Sequence, residues 1–126
     1  MRAVDTNVLV RLLTRDDAGQ SETAERWVKT GAWVSTLALA ETAWVLSGVY
    51  GRSPDEIASV IEILLNHEDL TLQDSDVVAA ALACFRNRPA LSFADCLLLE
   101  LARKAGHLPL GTLDRELSKL DGVEKL

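Results

Sequence analysis

Histidine and cysteine are scarce in this chain, and that narrows its chemistry before any motif is read. The two cysteines, Cys84 and Cys96, fall in separate apolar helical stretches with no Cys-x-x-Cys or Cys/His spacing. They read as buried thiols, not as a disulfide or a zinc site. The two histidines, His67 and His107, lie beside loops and read as turn or solvent residues. No apolar run is long enough to span a membrane. The cysteine reading makes the reducing cytoplasm the expected compartment, and the N-terminal MRAVDTNVLVRLL, broken by Asp5 and Arg11 before a long apolar core forms, does not read as a signal peptide. Internal repeats, low-complexity tracts and interdomain linkers are missing. So is an excess of basic charge: 13 Lys and Arg against 19 Asp and Glu give a formal charge of −6, which by itself argues against a binder of phosphate backbones.

What is present describes one ordinary folded domain. At 126 residues, 48% hydrophobic and 25% charged, the chain can bury a core without staples. Short apolar runs at about 2 to 5, 32 to 35, 70 to 72, 107 to 111 and 123 to 125 alternate with helix-period sequence. That alternation predicts an α/β fold, with a mainly parallel central sheet of four to five strands flanked by helices in three layers, all within residues 1–126. The helices carry punctuation. Ser21 is expected to cap a helix running to about Lys29, Ser53-Pro54-Asp55-Glu56 reads as a cap with a first-turn proline and acids, and a later helix should run from Ser92 to Gly106.

Four acids stand out against this frame: Asp5, Glu41, Asp95 and Asp114. Asp5 ends the first apolar run, and Asp114 follows another. Glu41 has Leu37, Ala38, Trp44 and Val45 at helical offsets, and Asp95 has Leu91, Leu98 and Leu99, so both acids are expected to interrupt stripes that face the core. Asp5 and Asp114 could each be a helix cap. Mid-helix positions offer Glu41 and Asp95 no such role, leaving a buried pair with an arginine as their structural alternative. Asp16, Asp17, Asp55, Asp69, Asp74, Asp76 and Asp121 lack the apolar context and read as loop and cap acids.

In open parallel sheets ligands gather beyond the carboxyl ends of the strands, where Asp5 and Asp114 fall and where the helix after Ser35 can bring Glu41. Converging carboxylates demand a cation. A donor set of oxygens alone suits magnesium, with manganese as a substitute, better than zinc or copper. Two such ions about 4 Å apart would activate a water and stabilise the leaving oxygen of a phosphodiester. The bound charge would also reverse the local field, so a polyanion could approach that face of an acidic protein. Arg11, Arg15, Arg86, Arg88, Arg103 and Lys104 are local basic positions, each read first as solvated helix surface. Thr6 and Asn7, at the turn after Asp5, and Thr112, two residues before Asp114, fit supporting or water-orienting roles or plain turn and cap roles.

The segments Val4-Asp5-Thr6-Asn7-Val8-Leu9, Ala40-Glu41, Phe93-Ala94-Asp95-Cys96 and Gly111-Thr112-Leu113-Asp114, in this order and spacing, resemble a PIN domain, and within that superfamily the VapC toxins of bacterial toxin–antitoxin pairs. The resemblance covers essentially the whole chain. It implies a magnesium-dependent endoribonuclease with Asp5, Glu41, Asp95 and Asp114 as catalytic, metal-binding acids, and Thr112 in the family's Thr-x-Asp segment. It also implies an RNA substrate, a homodimer and a small antitoxin whose C-terminal segment covers the active-site groove. A PIN nuclease for RNA processing and a noncatalytic metal-binding module stay open beside it. A receiver-like domain fits poorly, since no lysine lies between Leu108 and Asp114, and an Asp-x-Asp phosphatase fails because Asn7 holds the second position.

Overall fold

The computed structural model describes all 126 residues. Its first turn sets the pattern. The strand β1 (Arg2–Val4) ends on buried Val4, and Asp5 turns the chain into α1 (Thr6–Thr14) by accepting the Val8 N–H on its side chain at 3.1 Å. A carboxylate in that position satisfies one of the helix's unpaired amide donors and faces the positive end of its dipole. The same device recurs at Ser35 for α3 (Thr36–Gly48) and at Ser92 for α6 (Phe93–Ala105). For α4 (Pro54–Asn66) the expected cap is a complete reciprocal box between Ser53 and Glu56. At its far end α6 stops on Gly106, whose φ of 81° is left-handed and cheap only for glycine.

The remaining elements are α2 (Ala18–Val28), β2 (Ala32–Val34), β3 (Leu70–Leu72), α5 (Ser75–Asn87), β4 (Leu110–Thr112), a short 3-10 turn at Leu117–Lys119 and β5 (Val123–Lys125). All the strands pair in parallel, as the alternation predicts, and six helices flank them. They form two ladders: three strands in the order β1-β2-β3, and a separate pair of β4 with β5. In the larger ladder Val4, Val34 and Leu72 share a register position and are all buried, whereas Ala3, Trp33 and Thr71 point the other way and are exposed. The side chains of Val4, Leu9, Val34, Leu39, Leu46, Ile61, Val78 and Cys96 belong to one continuous core. Every buried polar side-chain atom in it has a partner.

Two expectations are corrected here. Ser21 does not cap α2; Asp17 does, accepting from the Gln20 N–H at 3.0 Å. Ser21 is instead buried one turn inside, and its hydroxyl donates to the Arg11 carbonyl at 3.0 Å, tying α2 to the end of α1. Leu98, expected in the core, is 56% exposed. The core-facing residues of α6 are Phe93, Cys96, Leu97 and Leu99.

Beside this corner lies a polar network that periodicity could not reveal. Arg11 donates to Gln20 at 2.6 Å, to Asp16 at 2.9 Å and to the Tyr50 hydroxyl at 3.3 Å, and that hydroxyl donates to Asp16 at 2.8 Å. The Tyr50 hydroxyl, then that of Thr14, then the Arg11 charge hold the Asp16 carboxyl below the ordinary carboxylate range. A carboxyl with a depressed folded-state pKa stabilises the fold above its unfolded value, about 4, and that contribution is lost as pH falls through the folded value. Asp16→Asn should therefore flatten the acid limb of the stability curve below about pH 4. Urea midpoints measured against pH check this, and an unchanged limb would show that the network contributes nothing to acid stability.

Candidate active site

Each of the four acids has a traceable position. Asp5 sits at the carboxyl end of β1, with one carboxylate oxygen held by the Val8 N–H and the other free of protein donors. The next residue, Thr6, donates its hydroxyl to Glu41 at 3.4 Å, a long bond that nonetheless joins the β1 turn to the second turn of α3. The packing of α1 on α3 makes that reach possible, and α3 in turn packs on α6, the helix that carries Asp95. Asp114 follows β4. One of its oxygens accepts from the Glu116 N–H at 2.8 Å and the Leu117 N–H at 3.2 Å, while its own N–H donates to the Thr112 hydroxyl at 3.0 Å. Asp5 and Asp114 are thus each anchored through one oxygen with the other left available.

The expected burial of these acids is corrected. Asp5, Glu41 and Asp114 are exposed, and Asp95 is half-buried. Glu41 does lie on an apolar stripe, but that stripe faces outward: Leu37 is 69% and Trp44 72% exposed, while Ala38, Leu39, Thr42, Ala43 and Leu46 form the buried face. Because α3 is apolar almost all round, its periodicity cannot say which side the core takes. Asp95 is not mid-helix either. It is the third residue of α6, its N–H bound to the Ser92 hydroxyl oxygen at 3.1 Å, so the helix N-terminus supplies an ordinary electrostatic reason for an acid there.

The arginine alternative for Glu41 and Asp95 also falls, since none of the four acids takes part in a salt bridge. The donor chemistry, carboxylate oxygens without imidazole or thiolate, fits a hard cation. No three of the chain's His, Cys, Asp and Glu side chains form a group that would cage an ion. Magnesium needs no such cage, because it takes one or two carboxylates and completes its shell with waters and substrate oxygens. Asn7 makes no hydrogen bond to Asp5; it is exposed and borders a groove between α1 and α2. Cys96, next to Asp95, is buried; that burial first and contact with Cys84 second push its thiol up, so it behaves as core.

Parallel strands flanked by six helices make this a small α/β domain, with Asp5 directly after β1 and Asp114 two residues past β4. The PIN domain family matches residues 2–123, and the chain belongs to that family. PIN domains are generally nucleases, hydrolases acting on nucleic acids. No curated protein and no solved structure matches. No helix is long and apolar enough to cross a membrane.

Sequence reasoning missed the groove itself. It is open, has a volume of about 840 Å³, and runs from Asp5, Asn7 and Arg11 on one wall to Gln20, Thr23 and Trp27 on the other. The signal for it was an aromatic at the end of α2, the least apolar of the six helices, where a tryptophan has no core to fill.

Proposed function

We propose that this PIN domain is a magnesium-dependent endoribonuclease that hydrolyses RNA phosphodiester bonds and acts as the toxin of a VapBC-type pair in the cytoplasm. The observation that carries this reading is the state of the four acids: all lack a basic partner, and Asp5 and Asp114 are each fixed through one oxygen with the second free. Asp5 and Asp95 would be the principal metal ligands, with Glu41 and Asp114 completing the site. Bound magnesium, or manganese in its place, would lower the pKa of a water and stabilise charge on the phosphate oxygens. The protein's own contribution is orientation. The Val8 N–H fixes the Asp5 carboxylate, the Thr6 hydroxyl steers Glu41, and the Glu116 and Leu117 N–H groups fix Asp114. Thr112 shapes the turn that presents Asp114, and Asn7 stands at the groove mouth as a donor to a phosphate oxygen.

The exposed apolar residues of α3 and α6 support a homodimer, because Leu37, Trp44 and Leu98 together leave large apolar surface in water on two helices that touch. A small antitoxin would cover the groove in front of Asp5 and hold the enzyme inactive.

Purified protein incubated with total RNA, in magnesium or manganese against EDTA and beside an identically prepared Asp5→Asn variant, tests the proposal. Metal-dependent cleavage that disappears in the variant is the expected result. Cleavage of equal rate in both would trace the activity to a contaminant and remove the assignment.

A further inference from the structure

Trp27 has no part in the chemistry above, yet it is held in place. It lies in the last turn of α2, 40% exposed, and its indole N–H donates to the Ala3 carbonyl on the open edge of β1 at 3.3 Å. The Arg2 guanidinium carbon stands 3.4 Å from the ring centroid. Both contacts limit the ring's freedom, so its tilt at the border of the α1–α2 groove is fixed.

Arg2 itself has charge to spare. Its side chain reaches only the Thr30 hydroxyl, at 3.4 Å, and no carboxylate. The guanidinium that lines the groove itself, Arg11, is consumed by Asp16, Gln20 and Tyr50, so Arg2, stacked on Trp27 at the border, is the cation left over. Strand geometry puts Arg2 roughly 10 Å from Asp5 along β1. A rigid, exposed aromatic paired with an uncompensated cation, at that distance from a phosphate-cleaving centre, matches the two parts of a single-stranded nucleotide. Every base has a π face that stacks on an aromatic or a guanidinium plane, and the backbone next to it is anionic.

The geometry points to the α1–α2 groove as a subsite for single-stranded RNA flanking the scissile phosphate, with an unpaired base stacked against the Trp27–Arg2 pair. This rests on the ribonuclease reading of the acidic site and adds where the strand lies. The subsite selects unpaired RNA, since a base inside a duplex presents no free face.

Anisotropy titration of a fluorescein-labelled single-stranded oligoribonucleotide in EDTA, where cleavage is stopped, reads the subsite directly; the same sequence as a duplex is the comparison. Trp27→Ala and Trp27→Leu should each weaken single-strand binding roughly five- to hundredfold, with Trp27→Phe close to wild type and duplex binding little changed. Arg2→Gln should reduce the slope of log affinity against log salt by about 0.7. Thermal melts identify any variant that fails to fold, and Trp27→Leu and Arg2→Gln keep the test open if Trp27→Ala is one. Wild-type affinity in both Trp27→Ala and Trp27→Leu, with wild-type protein still cleaving RNA, overturns the subsite alone and leaves the groove to a protein partner. Absence of metal-dependent cleavage by wild-type protein overturns the ribonuclease reading whatever the affinities show.

Discussion

Asp95→Asn should lower the proposed RNA cleavage by about a hundred- to thousandfold, the scale of losing one preorganised electrostatic group, and leave the metal-free protein within about 1 kcal/mol of wild-type stability. The two halves of this result have separate causes. Cleavage would suffer because asparagine keeps the shape of the side chain but removes the charge proposed to hold a cation. Stability barely moves because the only interaction lost is a favourable charge at the N-terminus of α6, worth about 0.3 to 1 kcal/mol. The substitution severs no ion pair, because Asp95 makes none. Single-turnover cleavage and urea denaturation in EDTA measure the two quantities on one preparation. A stability loss of several kcal/mol beside intact cleavage would reassign Asp95 to the fold.

A core substitution should give the inverse pattern. Leu39 on α3 is 1% exposed and packed within the main core, so Leu39→Ala should cost about 2 to 5 kcal/mol through the cavity it leaves. Leu98→Ala, on the exposed side of α6, should cost roughly 0.5 kcal/mol or less at protein concentrations dilute enough to keep the chain monomeric. Urea midpoints for the pair separate the buried face from the open one. Equal costs would mean that α6 turns its other face to the core.

The contrast between those two leucines shows what the sequence could reveal and where it stopped. Local signals were legible because their physics is local: the Ser53–Glu56 box, Ser92 and Gly106 at the two ends of α6, and short apolar runs at every strand all appear in the structure. Facing was not. A helix such as α3, with leucine, alanine and tryptophan on every side, satisfies the helical period in any orientation, and only its contacts with α1, α4 and α6 choose the buried side. The same ambiguity made Glu41 look buried and Leu98 look like core. Ser21 and Asp17 were both acceptable caps, and the choice fell to tertiary structure, since a buried hydroxyl was needed against the Arg11 carbonyl. The four acids could be singled out by residue and order. Their exposure, and the anchoring of Asp5 and Asp114 through one oxygen each, required backbone positions that no pattern of side chains reports. Trp27 and Arg2 were invisible as a pair because 25 positions separate them and only the open edge of β1 brings them together.

That division of the sheet reaches further than topology. β4 and β5 hydrogen-bond to each other and not to β1, so the segment bearing Asp114 joins the rest through side chains: buried Leu117, half-buried Leu110, Leu120 and Val123 against the core, and the Arg103 guanidinium donating to the Asp121 carbonyl at 3.1 Å. Segments of this kind open at a lower free energy than the core they rest on. Where Asp114 serves the proposed site, that site's alignment depends on a segment whose opening need not unfold β1, α3 and α6. The protein's readiness for chemistry and its global stability are, to that extent, separate quantities.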